Sequence, residues 1–262
     1  MKRIASRDNP TFKHLRALAE EGRYRRSERA TVLDGVHLIE AAHAQGISIR
    51  RLAVTSKALQ NGEVAILAGK LSAADCEIIE LPDALLHALS PVDTPSGVVA
   101  EIEIPDDALP PVAGDMLLIE AVQDAGNLGT LLRTAAAAGI RRVLLSEHCA
   151  QVWSPKVLRA GMGAHFFLHV AEQAGLSEAL DVWKGEVIAT VLDPRSQNLF
   201  ALDLRPPTAW LFGSEGAGLS AALVARATRL ACIPMPGGME SLNVAAAAAV
   251  CLFEQVRQRT TA

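Results

Sequence analysis

The sequence predicts an α/β protein in two parts, the larger built on a parallel sheet covered by helices on both faces. Three observations carry this. Beyond Met116, short apolar runs alternate with helical patterns, and strands separated by helices pair in parallel. Those runs are apolar throughout instead of alternating with polar residues, as strands buried on both faces are. Between Pro91 and Asp115 the pattern is interrupted by Pro91, Pro95, Pro105, Pro110 and Pro111, with acids at Glu101, Glu103, Asp106 and Asp107. Such a stretch marks a boundary between units.

The boundaries read from this are a first domain over residues 1–104, a linker over 105–114 and a second domain over 115–262. In the first, 12–21 is helical, with Phe12, Leu15 and Leu18 three apart. Helical patterns follow at 35–45 and 81–89, and strands at 51–54 and 97–104. In the second, strands are predicted at 116–122, 142–146, 187–192, 209–212 and 230–233. A helix over 128–138 stops at Gly139, a favoured residue just past a helix end. Another runs over 154–160 with Pro155 in its first turn. The last two cover 220–227 and 244–257.

Half of the 262 residues are hydrophobic, enough for a substantial core. The net charge of −4 is unevenly spread. Residues 1–29 carry nine Lys/Arg and four acids, a local charge of +5, which leaves −9 for the remainder. A basic segment on an acidic body points to a polyanion partner, although a solvated basic helix has the same composition. The four cysteines, Cys76, Cys149, Cys232 and Cys251, form no C-x-x-C pair and lie in or beside apolar runs. That usage fits small buried residues in a reducing cytoplasm and predicts no metal site. The N-terminus lacks the apolar core of a secretory signal, and the longest apolar run, 244–253, is too short to span a bilayer.

Ligands of parallel sheets gather at the carboxyl ends of the strands, and three loops there carry unusual residues. The first runs Gln123-Asp124-Ala125-Gly126-Asn127-Leu128-Gly129 into a helix bearing Arg133 and Thr134. Asn127 is suited to cap that helix. The second, Gly213-Ser214-Glu215-Gly216-Ala217-Gly218, follows a strand directly and spaces its glycines G-x-x-G-x-G. This is neither the dinucleotide order nor a Walker A loop. Glu215 has no evident structural use in a glycine turn. The third, from Ile233 through Pro234, Met235, Ser241, Leu242 and Asn243, leads into Val244 and five alanines. Ser241 or Asn243 is suited to cap the last helix.

Taken together, Asn127-x-Gly129-x-x-x-Arg133-Thr134-Ala135, Phe212-Gly213-x-Glu215-x-x-Gly218 and Ile233-Pro234-Met235 with Ser241-Leu242-Asn243-Val244 resemble, in order and separation, the three motifs of the SpoU (TrmH-like) methyltransferases of the SPOUT superfamily. Ser6-Arg7-Asp8-Asn9-Pro10-x-Phe12-Lys13 and Leu33-Asp34-Gly35-Val36-His37-Leu38-Ile39-Glu40 resemble the substrate-binding domain of many such enzymes, which is similar to a ribosomal L30e-type RNA-binding fold. Ser96-Gly97-Val98-Val99-Ala100 resembles the junction after it. Two positions depart from the family: Ala125-Gly126 replaces a proline-containing dipeptide, and Gly161 stands where many relatives have serine.

The resemblance implies a trefoil-knotted C-terminal domain, a homodimer, and S-adenosylmethionine as methyl donor to an RNA ribose 2′-hydroxyl. It implies ribosomal RNA of the 23S type as substrate, with transfer RNA as the alternative. By position, Gly213, Gly218, Ile233, Met235 and Leu242 would contact the cofactor. Gly213 would let its backbone approach the ligand, so that a valine there would abolish cofactor binding without unfolding. Arg133, Asn127, Glu215, Ser241 and Asn243 would form the catalytic set. Arg3, Arg7, Lys13, Arg23, Arg25 and Arg26, with Lys156 and Arg159, would hold RNA phosphates. A cationic sulfonium donor is already activated, so the transfer requires no metal. A non-catalytic RNA-binding or assembly protein on this fold, and a dinucleotide-dependent oxidoreductase, are the competing readings. The second lacks G-x-G-x-x-G after its first strand.

Overall fold

The computed structural model describes residues 1–92, 94–106 and 114–260. Most of the linker predicted over 105–114 therefore lies outside the described residues. The chain divides into two compact units, and the division does not follow the sequence in a single cut. One unit holds Met1–Asp106 together with Trp153–Phe166. The other holds the described residues of Asp107–Val152 and Phe167–Ala262.

The first unit is built on β1 (Lys2–Arg3), α1 (Pro10–Glu20), α2 (Gly22–Glu28), β2 (Ala30–Asp34), α3 (Val36–Ala44), β3 (Ile49–Val54), α4 (Gly62–Ser72), β4 (Glu77–Glu80), α5 (Asp83–His87) and β5 (Val98–Glu103). Its sheet has the order β1-β4-β3-β5-β2; β5 runs antiparallel to both its neighbours and the other pairs are parallel. Asn9 caps α1 by accepting from Thr11 N at 2.9 Å, and Pro10 fills the first helical position. The stripe Phe12, Leu15 and Leu18 is buried against the sheet core with Val32, Ala53, Ile79 and Val99. The sequence pattern predicts no element over 22–34, where α2 and β2 lie. All five residues of β2 are buried, but Thr31 and Asp34 break its apolar run, so it shows neither the alternation nor the continuous apolar pattern that flags a strand.

The second unit is built on β6 (Met116–Glu120), α6 (Ala125–Ala137), β7 (Arg142–Leu145), β8 (His169–Ala171), α8 (Leu176–Asp181), β9 (Glu186–Thr190), β10 (Gln197–Asn198), β11 (Thr208–Gly213), α9 (Ala221–Val224), β12 (Arg229–Cys232) and α10 (Val244–Thr260). Between β7 and β8 the chain makes α7 (Pro155–Gly161), which packs in the first unit. The seven strands are parallel throughout, in the order β10-β12-β9-β11-β6-β7-β8. Strand residues alternate between the two faces. Met116, Leu118, Ala209 and Leu211 join a cluster with Leu176, Leu180 and Leu223 of α8 and α9. Trp210, between Ala209 and Leu211, is fully buried and donates Nε1–H to Gln255 Oε1 of α10 at 3.0 Å. A buried indole N–H without that partner would carry a desolvation cost of about 1–3 kcal/mol. No helix among the described residues is long and apolar enough to cross a membrane.

Candidate active site

Three loops at the carboxyl ends of β6, β11 and β12 meet through their polar side chains. Asp124, not Asn127, caps α6: its Oδ1 accepts from the Asn127 backbone N–H at 2.7 Å. That leaves the Asn127 amide free for other work. Asn127 Nδ2 donates to Glu215 Oε1 in the second loop. Asn127 Oδ1 accepts from Asn243 Nδ2 in the third at 2.9 Å. Asn243 also caps α10, its Oδ1 accepting from Ala245 N at 2.9 Å and Ala246 N at 3.3 Å. One amide of the first loop is thus clamped between a carboxylate of the second and an amide of the third.

Beside this clamp lies a cavity of about 490 Å³, within the range of small-molecule sites, roughly 300–1,000 Å³. It is lined by Gly213, Glu215 and Gly218 of the second loop and by Ile233, Met235, Ser241, Leu242 and Asn243 of the third. These are eight of the ten residues assigned from the sequence to cofactor and catalysis. Asn127 reaches the cavity through Glu215 and Asn243. Arg133 does not line it. It sits on the outer face of α6, exposed, with no ion pair among the described residues. Thr190, Val191 and Leu192, at and just past the end of β9, form a wall that the sequence pattern marks only as strand. Their place at a carboxyl strand end is the one signal that singles them out.

The lining suits a ligand with an apolar ring and a polar tail: Leu192, Ile233, Leu242 and Val244 supply apolar walls, and Ser214, Glu215, Ser241 and Asn243 supply polar groups. The second loop is closed on itself, with Gly218 N–H donating to Ser214 O at 2.9 Å. A Cβ at Gly213 would stand 2.2 Å from the Gly218 carbonyl carbon. This corrects the expectation that a valine there would leave the fold intact. The loop's own backbone already requires a glycine there, so a valine would break the loop itself.

Residues 116–253 match the SpoU rRNA methylase family, and residues 9–100 match the MRM3-like substrate binding domain. An uncharacterized tRNA/rRNA methyltransferase of Synechocystis is 36% identical over 99% of this chain and 95% of its own length. The Bacillus subtilis 23S rRNA (guanosine(2553)-2′-O)-methyltransferase RlmP is 32% identical, covering 97% of this chain and 98% of the relative. The AdoMet-bound rRNA methyltransferase from Sinorhizobium meliloti superposes with a TM-score of 0.84 at 30% identity, over 98% of this chain and 97% of that one. The chain belongs to the SpoU rRNA methylase family.

The SpoU motifs account for the meeting of the three loops, but the basic residues expected to hold RNA divide. Arg25 is buried, and its Nη1 donates to Leu18 O at 2.8 Å and Ala19 O at 3.2 Å, closing the end of α1. It therefore does not belong to the phosphate-binding set. Lys13 pairs with the exposed Asp8 at 2.9 Å and Arg3 with Glu80 at 3.8 Å. Exposed pairs of this kind contribute little and exchange partners readily. Arg7, Arg23, Arg26 and Lys156 are exposed without an ion pair among the described residues. The cysteines offer no nucleophile at Cys76 or Cys251, where burial pushes the thiols up to about 11 and about 12.

Gly213→Ala is expected to destabilise the second unit by about 1–3 kcal/mol, the usual cost of overpacking. Amide hydrogen exchange over 213–219 should accelerate, while exchange in β6 stays protected. Unchanged exchange in that loop would show that the crowding at Gly218 is relieved elsewhere.

Proposed function

We propose that this SpoU-family chain transfers a methyl group from S-adenosylmethionine to a ribose 2′-hydroxyl of ribosomal RNA of the 23S type, acting as a homodimer in the cytoplasm. The observation that carries the reading is the cavity at the three-loop clamp, whose apolar walls and polar end match the chemistry of that cofactor. Relatives whose names specify 23S rRNA 2′-O-methylation, together with AdoMet-bound neighbours, support it. The trefoil knot that the family implies for the C-terminal domain belongs to the same reading.

The cofactor supplies an activated methyl on a sulfonium. The protein must align the hydroxyl with that methyl and manage the proton the hydroxyl loses. Gly213, Gly218, Ile233, Met235 and Leu242 enclose the donor. Glu215, Asn127 and Asn243 act as one unit, because displacing any of the three unseats the loop of another. Ser241 and Asn243 present polar groups to the cavity where the donor's polar tail and the ribose meet. Arg133 supplies a planar guanidinium whose fork of donors matches a phosphate. Its role is to hold the adjacent phosphate and stabilise the oxyanion that develops on the 2′-oxygen.

The outer faces of α6 and α10 support the dimer. Thr130, Arg133 and Ala137 on α6, and Ala246 and Phe253 on α10, are exposed, with Phe253 at 47%. A second copy packed there would cover Phe253 and carry Arg133 toward a site built by its partner. Mapping 2′-O-methyl groups in RNA from a deletion strain tests the substrate. Loss of a single 23S site is the expected result, and an unchanged 23S pattern with a lost tRNA site would overturn it.

Arg133→Ala should lower methyl transfer by roughly 10²-fold or more, with cofactor affinity by calorimetry nearly unchanged. Full turnover in this variant would remove Arg133 from the mechanism.

Truncation at residue 106 would be a poor test of the basic segment, because Trp153–Phe166 packs in the unit it would delete. Charge removal in place is a cleaner one. The triple change Arg7→Gln, Arg23→Gln and Arg26→Gln should flatten the salt dependence of RNA binding by about 0.7 to 0.9 for each phosphate that is no longer neutralised. Equal slopes for the variant and the parent would make these arginines a solvated face.

A further inference from the structure

The segment Trp153–Phe166 leaves the parallel sheet after β7 and returns to it at β8, yet it packs with the N-terminal sheet. Specific hydrogen bonds hold it there. Thr31 of β2 donates its hydroxyl to Trp153 O at 2.7 Å. Ser154 caps α7, accepting from Val157 N at 3.4 Å. Past α7, Gly163 turns with φ +86°, and a Cβ there would stand 3.0 Å from the Ala41 Cβ.

Between these points lies an ion pair of unusual cost. Arg159 Nη1 donates to Asp34 Oδ2 at 2.7 Å, and the Ser90 hydroxyl donates to the same oxygen at 2.9 Å. The Asp34 side chain is only 1% exposed. Its other oxygen, Oδ1, is buried with no hydrogen-bond partner among the described residues. Burial pushes this carboxyl above the usual carboxylate range, against the opposing pull of Ser90 and Arg159. Replacing such a pair by well-packed apolar residues is often neutral or stabilising. Stability alone therefore does not explain a carboxylate here. What the pair does is fix a direction, because a guanidinium held at one corner by a buried acid has little freedom.

That guanidinium is 42% exposed on its side chain, and Asp34 takes one of its five donors. Lys156 lies three residues earlier on α7, exposed and without an ion pair among the described residues. Residues three apart share a helix face, so the two cations stand together. We propose that Asp34 is a positioning residue for the RNA substrate: it fixes Arg159 so that Arg159 and Lys156 together grip one backbone phosphate. The inference rests on the methyltransferase reading above. It also gives the substrate-binding unit a phosphate grip supplied by the catalytic half of the sequence.

The test uses the full chain, S-adenosylmethionine and a 23S rRNA transcript. Asp34→Asn keeps the shape and the Ser90 hydrogen bond and removes the charge. It should weaken transcript binding about tenfold, roughly 1.4 kcal/mol, and raise KM for RNA while kcat and cofactor affinity hold. The salt slope should fall by about 0.7 to 0.9, the share of one phosphate. Asp34→Glu should restore most of the affinity. Lys156→Ala should cost less in the Asp34→Asn background than alone, because both changes break the same grip. Should Asp34→Asn fold poorly, Arg159→Lys removes the planar fork from a half-exposed position and should show the same coupling with Lys156→Ala. Strictly additive effects, or an unchanged salt slope in Asp34→Asn, would overturn the proposal alone. Wild-type protein that binds neither the transcript nor the cofactor would overturn the methyltransferase reading as well.

Discussion

The hydrogen bonds from Asn127 to Glu215 and from Asn243 to Asn127 are what the site depends on. Each joins loops far apart in sequence, 88 and 116 residues respectively. A loop at a strand end is free to move unless something outside it fixes its position. Here the second and third loops are both tied to the first through Asn127, so the cavity has a shape before any ligand arrives. The cap of α6 makes this possible. Because Asp124 takes the capping position, the Asn127 side chain is not spent on its own helix, and a residue one turn in can reach across the sheet.

The parallel sheet supplies the frame for that clamp. Its central strands β11 and β6 are buried along nearly their whole length, so they hold the carboxyl ends from which the first two loops spring. The second loop is further tied to the frame by Glu120, whose carboxylate accepts from Ser220 N at 2.7 Å. An acid at the end of β6 thereby holds the start of α9, on the far side of the glycine turn. Rigid strands set the spacing, and a few polar groups at their ends convert that spacing into a site.

How much of this is legible in the sequence depends on whether a signal is local. The strands over 116–120, 142–145 and 208–213 stand out because buried parallel strands are continuous apolar runs. The pairing of Glu215 with the first loop can be suspected, since an acid in a glycine turn has no local use. By contrast, β2 and α2 escape the pattern: Thr31 and Asp34 break the apolar run of β2, and α2 is a polar helix, GRYRRSE, with little apolar periodicity. In the sequence Arg25 is one basic residue among many. Only the packing shows that its guanidinium closes α1, because a hydrogen bond to the Leu18 carbonyl leaves no mark on composition. The same holds for α7, whose apolar face reads equally well against either sheet. Its partner is decided by hydrogen bonds from Thr31 to Trp153, just before the helix, and from Arg159 to Asp34, each joining residues more than a hundred positions apart.

These misses share a physical cause that bears on the charge of the molecule. A composition count assigns +5 to residues 1–29, but a charge that is buried or beside an acid acts more weakly on a distant polyanion than an exposed, unpaired one. Arg25 is buried, Lys13, Arg16 and Arg29 have acidic partners, and Arg3 sits beside Glu80. Among the described residues, Lys2, Arg7, Arg23 and Arg26 are the exposed cations of that segment without an ion pair. Lys156 and the outer part of Arg159 lie in the same unit although they come from the acidic half of the sequence. The electrostatic division of labour thus follows the folded units and not the linear halves. Sequence charge overstates the first helix pair and understates the contribution of a helix that the catalytic sheet lends to its neighbour.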